Sequence, residues 1–337
     1  MGFLDGGVEV FEFRNLNTKP GGYEGGDTVT GELFMDAKNE LECRSVSVVL
    51  LGEAKTKWTE FRYRRHYGFF HDDDDGSYLA YYRGYKPICK DQVVIRGEGV
   101  IAAGQHTHRF SLKLPPRTLP SFKGQYGGVS YTLTGLIDRS MAKDREVSLE
   151  VAVKGAHDLN RFPELSSPAS STEAAEVTSW WCCCCCTSFG TLTAQLNTPK
   201  TGYTVGESIQ VTADVANNSK KAVVAFSISL IECANFVAHY DNERDEKSTS
   251  VVLATSQIVM PVPPQQQQRI TANLMIPAKA TTQINEEIIK TTHFIQLRAQ
   301  TKSGKVRGPV GRLPIVIGTV PVEEKPTEED RFIYKRL

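Results

Sequence analysis

The feature that most constrains this chain is a repetition. Tyr23-Glu-Gly-Gly26-Asp27-Thr-Val29-Thr-Gly31-Glu-Leu33-Phe34 returns as Tyr203-Thr-Val-Gly206-Glu207-Ser-Ile209-Gln-Val211-Thr-Ala213-Asp214, glycine on glycine and carboxylate on carboxylate, at an offset of 206 − 26 = 180 residues. The same offset carries Ser45-Val-Ser47-Val48-Val-Leu50-Leu51 onto Ala225-Phe-Ser227-Ile228-Ser-Leu230-Ile231. Two blocks at one constant offset mark a duplicated β domain. A chain of 337 residues, 40% of them hydrophobic, has the length and the apolar content for two cores.

The period within each copy is that of strands. Val8-Glu-Val10-Phe-Glu-Phe13, Arg44-Ser-Val46-Ser-Val48-Val-Leu50, Gln92-Val-Val94-Ile95 and Val129-Ser-Tyr131-Thr-Leu133-Thr134 alternate apolar and polar residues. In the second half Gly190-Thr-Leu192-Thr-Ala194-Gln-Leu196 alternates, Val223 to Ile231 is nearly continuous, and Asn273-Leu-Met275-Ile-Pro277 echoes Leu112-Lys-Leu114-Pro115. His293-Phe-Ile295-Gln-Leu297-Arg-Ala299 resembles the Tyr131 strand, and Leu313-Pro-Ile315-Val-Ile317-Gly318 closes the pattern. Turn residues separate the runs, at Lys19-Pro-Gly-Gly22, Gly25-Gly26 and Asn217-Asn218-Ser219. Helical periodicity is missing over any useful window. The expected fold is all-β: two tandem immunoglobulin-like β-sandwiches joined by a short hinge. The expected boundaries are a first sandwich over residues 1–163, a linker with a Cys-rich entry over 164–186, a second sandwich over 187–320 and a charged tail over 321–337. Within that linker Glu164 to Glu176 is small and polar and reads as a loop.

Charge and cysteine usage narrow the function classes. Lys plus Arg and Asp plus Glu both total 39, which gives no hint of a nucleic-acid partner. No run of about 20 apolar residues is present to span a membrane as a helix. The start, Met-Gly-Phe-Leu-Asp-Gly6, is too polar for a signal peptide, and Gly6 stands where a myristoylation signal wants Ser or Thr. Of eight cysteines five are consecutive and Cys43, Cys89 and Cys233 are scattered, so there is no disulfide framework and the cytoplasm is the expected compartment. Gly-x-Ser-x-Gly, His-Glu-x-x-His, Cys-x-x-Cys and phosphate-cradling glycine loops are missing, which points away from an enzyme. No cofactor is expected.

Four stretches stand outside the strand pattern. Between Trp58 and Lys90 a basic-aromatic run, Arg62-Tyr-Arg64-Arg65-His66-Tyr67, leads through Asp72 to Asp75 into Tyr78, Tyr81, Tyr82 and Tyr85. It reads as a long hairpin with a solvated acidic tip, because four consecutive aspartates lack the spacing of a calcium loop. His106 and His108, two apart in a strand, share a face and raise the thought of zinc. No third ligand is evident, and an exposed pair on the wet face is the expectation. Trp180-Trp181-Cys182-Cys183-Cys184-Cys185-Cys186 suits neither a tetrahedral zinc site nor a disulfide between neighbours. Two readings stay open: a short apolar strand with cysteine as a small hydrophobe, or an S-palmitoylated anchor beside two interfacial tryptophans. At the end Tyr334-Lys-Arg-Leu337 is a Tyr-x-x-hydrophobic pattern that suits an extended peptide docking on a clathrin-adaptor subunit.

Taken in order, Gly26-Asp27-Thr-Val29-Thr-Gly31, Leu114-Pro115-Pro116 to Phe122 followed by Val129-Ser-Tyr131, the Cys-rich entry, Gly202-Tyr203-Thr-Val-Gly206-Glu207, Asn217-Asn218-Ser219 and Leu313-Pro-Ile-Val-Ile-Gly318 resemble the α-arrestin (arrestin-domain-containing) family over about residues 8 to 318. The resemblance implies a non-enzymatic cytosolic adaptor in protein trafficking, peripheral at the plasma membrane and endosomes. Such an adaptor binds membrane receptors or transporters and links them to HECT-type ubiquitin ligases and clathrin adaptors. A retromer-type endosomal cargo-sorting scaffold is the alternative with the same architecture. Three departures qualify the carry-over. Family members recruit the ligase through Pro-Pro-x-Tyr, but here Pro115-Pro116 precedes Arg117-Thr118 and Pro263-Pro264 precedes Gln265-Gln266. A relative pairs with thioredoxin through a cysteine after the turn matching Asn217-Asn218, where this chain has Ser219 and Lys220, so thioredoxin is not an expected partner. No counterpart stands out for the charged loop pair by which visual and β-arrestins sense receptor phosphates.

Overall fold

The structure is a computed structural model that describes residues 7–63, 77–140, 143–178, 188–302 and 305–322. It is built of strands, with two 3-10 turns at Leu159–Arg161 and Pro163–Ser166 as the helical content among the described residues. The chain forms two compact units. One comprises Met1–Ala156 with Asn235–Ser248 and Ile284–Lys290, the other His157–Ala234, Thr249–Gln283 and Thr291–Leu337.

The first unit carries β1 (Val8–Arg14), β2 (Thr28–Ala37), β3 (Leu41–Cys43), β4 (Ser45–Tyr63), β5 (Ser77–Arg96), β6 (Gly99–Ile101), β7 (Gly104–Lys113), β8 (Phe122–Lys123), β9 (Gly127–Asp138) and β10 (Arg145–Val151). One sheet runs β1-β2-β7 and the other β10-β9-β4-β5, all antiparallel. Strict alternation puts Leu33, Met35, Phe110 and Leu112 of the first sheet in the core, with Val46, Val48, Leu50, Tyr131 and Leu133 of the second. The sheets face each other closely enough that a Cβ on Gly135 of β9 would stand 2.8 Å from Leu33 Cδ1 of β2.

The second unit carries β11 (Ala169–Thr178), β12 (Ser188–Thr198), β13 (Gly202–Thr204), β14 (Ser208–Asn217), β15 (Val223–Tyr240), β16 (Glu243–Ile258), β17 (Gln267–Met275), β18 (Ile289–Thr301), β19 (Lys305–Val306) and β20 (Gly311–Gly318). Its sheets are β17-β14-β12-β11-β19 and β15-β18-β20-β13. The core joins Leu192, Leu196, Ile209 and Val211 of one to Phe226, Ile228, Leu230, Ile295, Leu297 and Ile315 of the other. Each such side chain contributes about 1.5–3 kcal/mol on burial. The distal ends of β15 and β16 lie in the first unit, where His239 pairs with Arg83 of β5.

The repeat in the sequence is a repeat of hydrogen bonds. Asp27 N–H donates to Glu24 O and Glu207 N–H to Thr204 O, both at 3.1 Å. Gly26 N–H reaches Pro115 O and Gly206 N–H reaches Ile276 O, both at 3.0 Å. Both glycines hold a left-handed backbone, φ 87° and 88°, which a side chain would strain. Each carboxylate folds back onto its own turn: Asp27 accepts from Glu24 N–H and pairs with Lys19, and Glu207 accepts from Thr204 N–H and pairs with Lys200. The Lys19 hydrogen bond leads in holding Asp27 below the usual carboxylate range. For Glu207 burial pushes upward, but Lys200 and Thr204 together win and its pKa falls.

The expected loop from Glu164 to Glu176 is corrected. Ala169–Thr178 is a strand, paired along its length with β12. Its inward positions are Ala169, Ser171, Glu173, Ala175 and Val177, and only Ala175 and Val177 are fully buried there. The period of two is present but carried by small and polar side chains, so an apolar pattern does not reveal it. This strand belongs to the second unit, within the expected linker.

Candidate interaction surfaces

The expected hairpin is present: β4 and β5 pair from Val46↔Arg96 out to Tyr63↔Ser77. Its two faces differ. On the inner face Trp58 stacks on Tyr82 at 5.8 Å and 14°, and meets Tyr126 edge-on at 5.8 Å. The indole N–H donates to Asp245 Oδ2 at 3.1 Å, while Tyr82 packs on Tyr240 at 5.7 Å. Lys247 pairs with Glu60, and Arg62 meets the Tyr82 hydroxyl and Glu243. The hydrogen bond that Lys247 donates to Glu60 is the main reason its ammonium is held above its usual pKa. Burial pushes Tyr82 upward. Thr56 Oγ1 donates to Val237 O at 2.6 Å. Residues 235–248 thus brace the hairpin from one side with stacked rings and charge-assisted bonds.

On the outer face Lys55, Lys57, Thr59 and Phe61 of β4 stand opposite Tyr85, Arg83, Tyr81 and Leu79 of β5. All eight are exposed, Phe61 at 72%, Tyr85 at 57%, Tyr81 at 53% and Leu79 at 43%. Spacing in the sequence carries this signal: Leu79, Tyr81 and Tyr85 are odd-numbered, Tyr78 and Tyr82 even, so aromatic residues cover both faces of one strand.

Among the described strands that end a sheet are β1, β10 and β17, each paired with one neighbour. Their outward backbone groups offer an extended peptide a ladder to join. Charged and polar side chains line them, Glu9, Glu12 and Arg14 on β1, Glu146 and Glu150 on β10, and Gln267, Gln268 and Arg269 on β17, the usual defence against indiscriminate pairing. The outer side of β11, β12, β14 and β17 also holds an open hollow of about 520 Å³, lined by Thr172, Thr193, Gln195, Asp214 and Arg269. Arg269 Nε donates to Asp214 Oδ1 at 2.6 Å and draws the aspartate pKa down.

The other sequence candidates fall differently. Cys182, Cys183, Cys184, Cys185 and Cys186, the aspartates 72–75, and Tyr334 with Leu337 lie outside the described residues. His106 and His108 do share a face, their rings parallel within 4° at 6.4 Å. The exposed wet face expected for them is corrected: they are half-buried on the side of β7 that carries Phe110 and Leu112. His106 Nε2 donates to Ala102 O at 2.8 Å, and burial first, then His106 and Arg96, lower the pKa of His108. No group of three His, Cys, Asp or Glu that could hold a metal occurs among the described residues. Sequence reasoning missed the Trp58–Asp245 and Glu60–Lys247 pairs, because they join positions 187 residues apart.

Comparison with known families agrees with this architecture. Residues 13–160 match the arrestin (or S-antigen) N-terminal domain and residues 188–322 the arrestin C-terminal domain. The chain belongs to the arrestin family. Among curated proteins it is similar to arrestin domain-containing protein 17 of Caenorhabditis elegans, 26% identical over 220 residues, which is 64% of this chain and 50% of that protein. Human arrestin domain-containing protein 4 is 26% identical over 222 residues, 64% of this chain and 49% of that one. The rat arrestin domain-containing protein 1 is 22% identical over 234 residues, 69% and 49%. The chain spans about half the length of these relatives. The family is one of adaptors that are generally non-enzymatic. No helix among the described residues is long and apolar enough to cross a membrane.

Proposed function

We propose that this protein is a cytosolic trafficking adaptor that binds membrane receptors or transporters and links them to ubiquitination and endocytosis. The observation that carries the reading is the tandem arrestin fold with unpaired edge strands on rigid sandwiches. A cytosolic segment of a cargo protein is an extended, sequence-variable ligand. Strand addition suits it, since backbone bonds supply affinity and alternate side chains supply choice. No Pro-Pro-x-Tyr occurs in the chain, so a HECT-type ligase is reached through another segment or another protein. Cys182–Cys186 serve as S-acylation sites that hold the adaptor at the plasma membrane and endosomes, and Tyr334 with Leu337 as the clathrin-adaptor contact. The test is proximity biotinylation in cells with the intact chain and with all five cysteines changed to serine. Enrichment of membrane receptors or transporters with ubiquitin ligases supports the adaptor. Its loss in the serine variant, together with loss of a hydroxylamine-sensitive acyl label, supports the anchor. A neighbour list without membrane proteins or ligases overturns the reading.

A further inference from the structure

We propose that the outer face of the β4–β5 hairpin is a docking surface for an anionic membrane, independent of any cargo and of acylation. Its cations, Lys55, Lys57 and Arg83, lie together, and its apolar side chains, Phe61, Leu79 and Tyr81, lie beyond them along the ribbon. Tyr85 stands beside Lys55, with the ammonium 5.9 Å from the ring centroid.

The face is asymmetric in charge. Among its eight paired positions from Lys55 to Phe61 and from Leu79 to Tyr85 there is no carboxylate. Glu60 lies on the opposite face, engaged by Lys247. Glu53, one step before, is paired with Lys55. Lys57 and Arg83 stand directly opposite each other in the register. Two like charges across a pair repel each other unless an anion lies over both. That repulsion also argues against a second copy of the chain, which would bring the same cations face to face. A leaflet of anionic lipid supplies the missing charge over a plane.

The apolar part suits the same occupant. Phe61 and Leu79 are directly opposite, and Thr59 pairs with Tyr81, so two aromatics and a leucine crowd one end of the ribbon. Tyrosine is favoured at the headgroup level, where its ring is covered and its hydroxyl wet. The bracing on the inner face by Trp58, Tyr82, Tyr240 and Asp245 keeps the ribbon from collapsing these side chains back into the core.

The test is vesicle co-sedimentation with the full chain purified from bacteria, which leaves the cysteines unacylated. One set of vesicles is phosphatidylcholine alone, the other phosphatidylcholine with about one third phosphatidylserine. Binding to the anionic set, weakening with added salt, is expected. Each cation near an anionic surface strengthens binding about fivefold, so Lys57→Gln with Arg83→Gln weakens it about 25-fold. Phe61→Ser with Tyr81→Ser weakens it about tenfold or more. Val259→Ser, exposed in the second unit, serves as a control that leaves binding unchanged. All substituted side chains point outward, and circular dichroism and melting of the variants check that the fold is kept. Equal binding to both vesicle sets, no binding, or anionic binding unaffected by these pairs overturns the proposal. If the same variants instead lose an acidic protein partner without any vesicle binding, the face is a protein site and the proposal falls.

Discussion

Replacing His293 with leucine removes a hydrogen bond that helps to hold a buried carboxylate. Glu232 Oε2 accepts from His293 Nε2 and from Thr281 N–H, each at 3.0 Å, and the His293 side chain is wholly buried. Burial pushes the Glu232 pKa upward, but the bonds from His293 and Thr281 outweigh it and hold it below 4.5. Without the imidazole the glutamate either stays charged, costing about 3–5 kcal/mol for a buried charge stripped of its partner, or takes up a proton. From an ordinary value of 4.5, protonation at pH 7 costs about 1.4 kcal/mol per pH unit, roughly 3.5 kcal/mol in all. The cheaper route sets the expected loss at about 3 kcal/mol. The sign with pH follows. In the parent the depressed pKa contributes stability above pH 4.5 that fades as pH falls through the folded value. In the variant the raised pKa costs stability above 4.5. The difference is therefore widest near pH 7 and closes toward pH 4 and below. The assay is urea unfolding at both pH values, read by pulsed hydrogen exchange at residues 223–234 of β15 and 291–301 of β18, so that the second unit is followed by itself. In the double variant Glu232→Gln with His293→Leu, much of the loss is recovered. A loss under about 1 kcal/mol, or one equal at pH 7 and pH 4, would refute the reasoning.

Other outcomes are expected from the same geometry. Gly52→Ala places a Cβ 2.5 Å from Tyr131 Cε1 and 2.8 Å from Cys89 Sγ, so chemical denaturation should show a loss of about 1–3 kcal/mol. Gly84→Ala meets Thr56 Oγ1 at 2.3 Å and Val237 O at 2.8 Å, and faster hydrogen exchange in residues 235–248 should report the loosened brace on the hairpin. Gly206→Ala has open space around it but a φ of 88°, so it isolates backbone strain, and a loss of about 1–2 kcal/mol on urea unfolding is expected.

The duplication and the alternation of the strands were legible because they rest on glycine turns and alternating apolar residues, which sequence displays directly. Val29↔Leu112 in the first sandwich and Ile209↔Leu274 in the second realise the repeat. What the repeat preserves is position and not chemistry. At the 180-residue offset Gly52 falls on Glu232, and at the 276 − 114 = 162 offset of the later strands Tyr131 falls on His293 and Leu119 on Thr281. In the first sandwich the missing side chain of Gly52 leaves room for the Tyr131 ring, whose hydroxyl donates to Leu119 O at 2.8 Å. In the second, a glutamate and a histidine fill the equivalent space and tie down Thr281. Neither pair announces itself in one sequence. The strand over 169–178 was hidden for another reason, its inward face being built of alanine, serine and glutamate with a single valine, Val177. Odd and even positions already divide Leu79, Tyr81 and Tyr85 from Tyr78 and Tyr82, but the structure was needed to show which set is braced by Tyr240 and which faces outward.

The central claim is an adaptor whose free strand edges take up extended segments of membrane cargo. Its most direct test is hydrogen exchange of the full chain with and without the cytosolic segment of a membrane protein recovered by proximity labelling. The account predicts slowed amide exchange concentrated on an edge strand, in Val8–Arg14, Arg145–Val151 or Gln267–Met275. Bound segments that leave all three edges unprotected would contradict it.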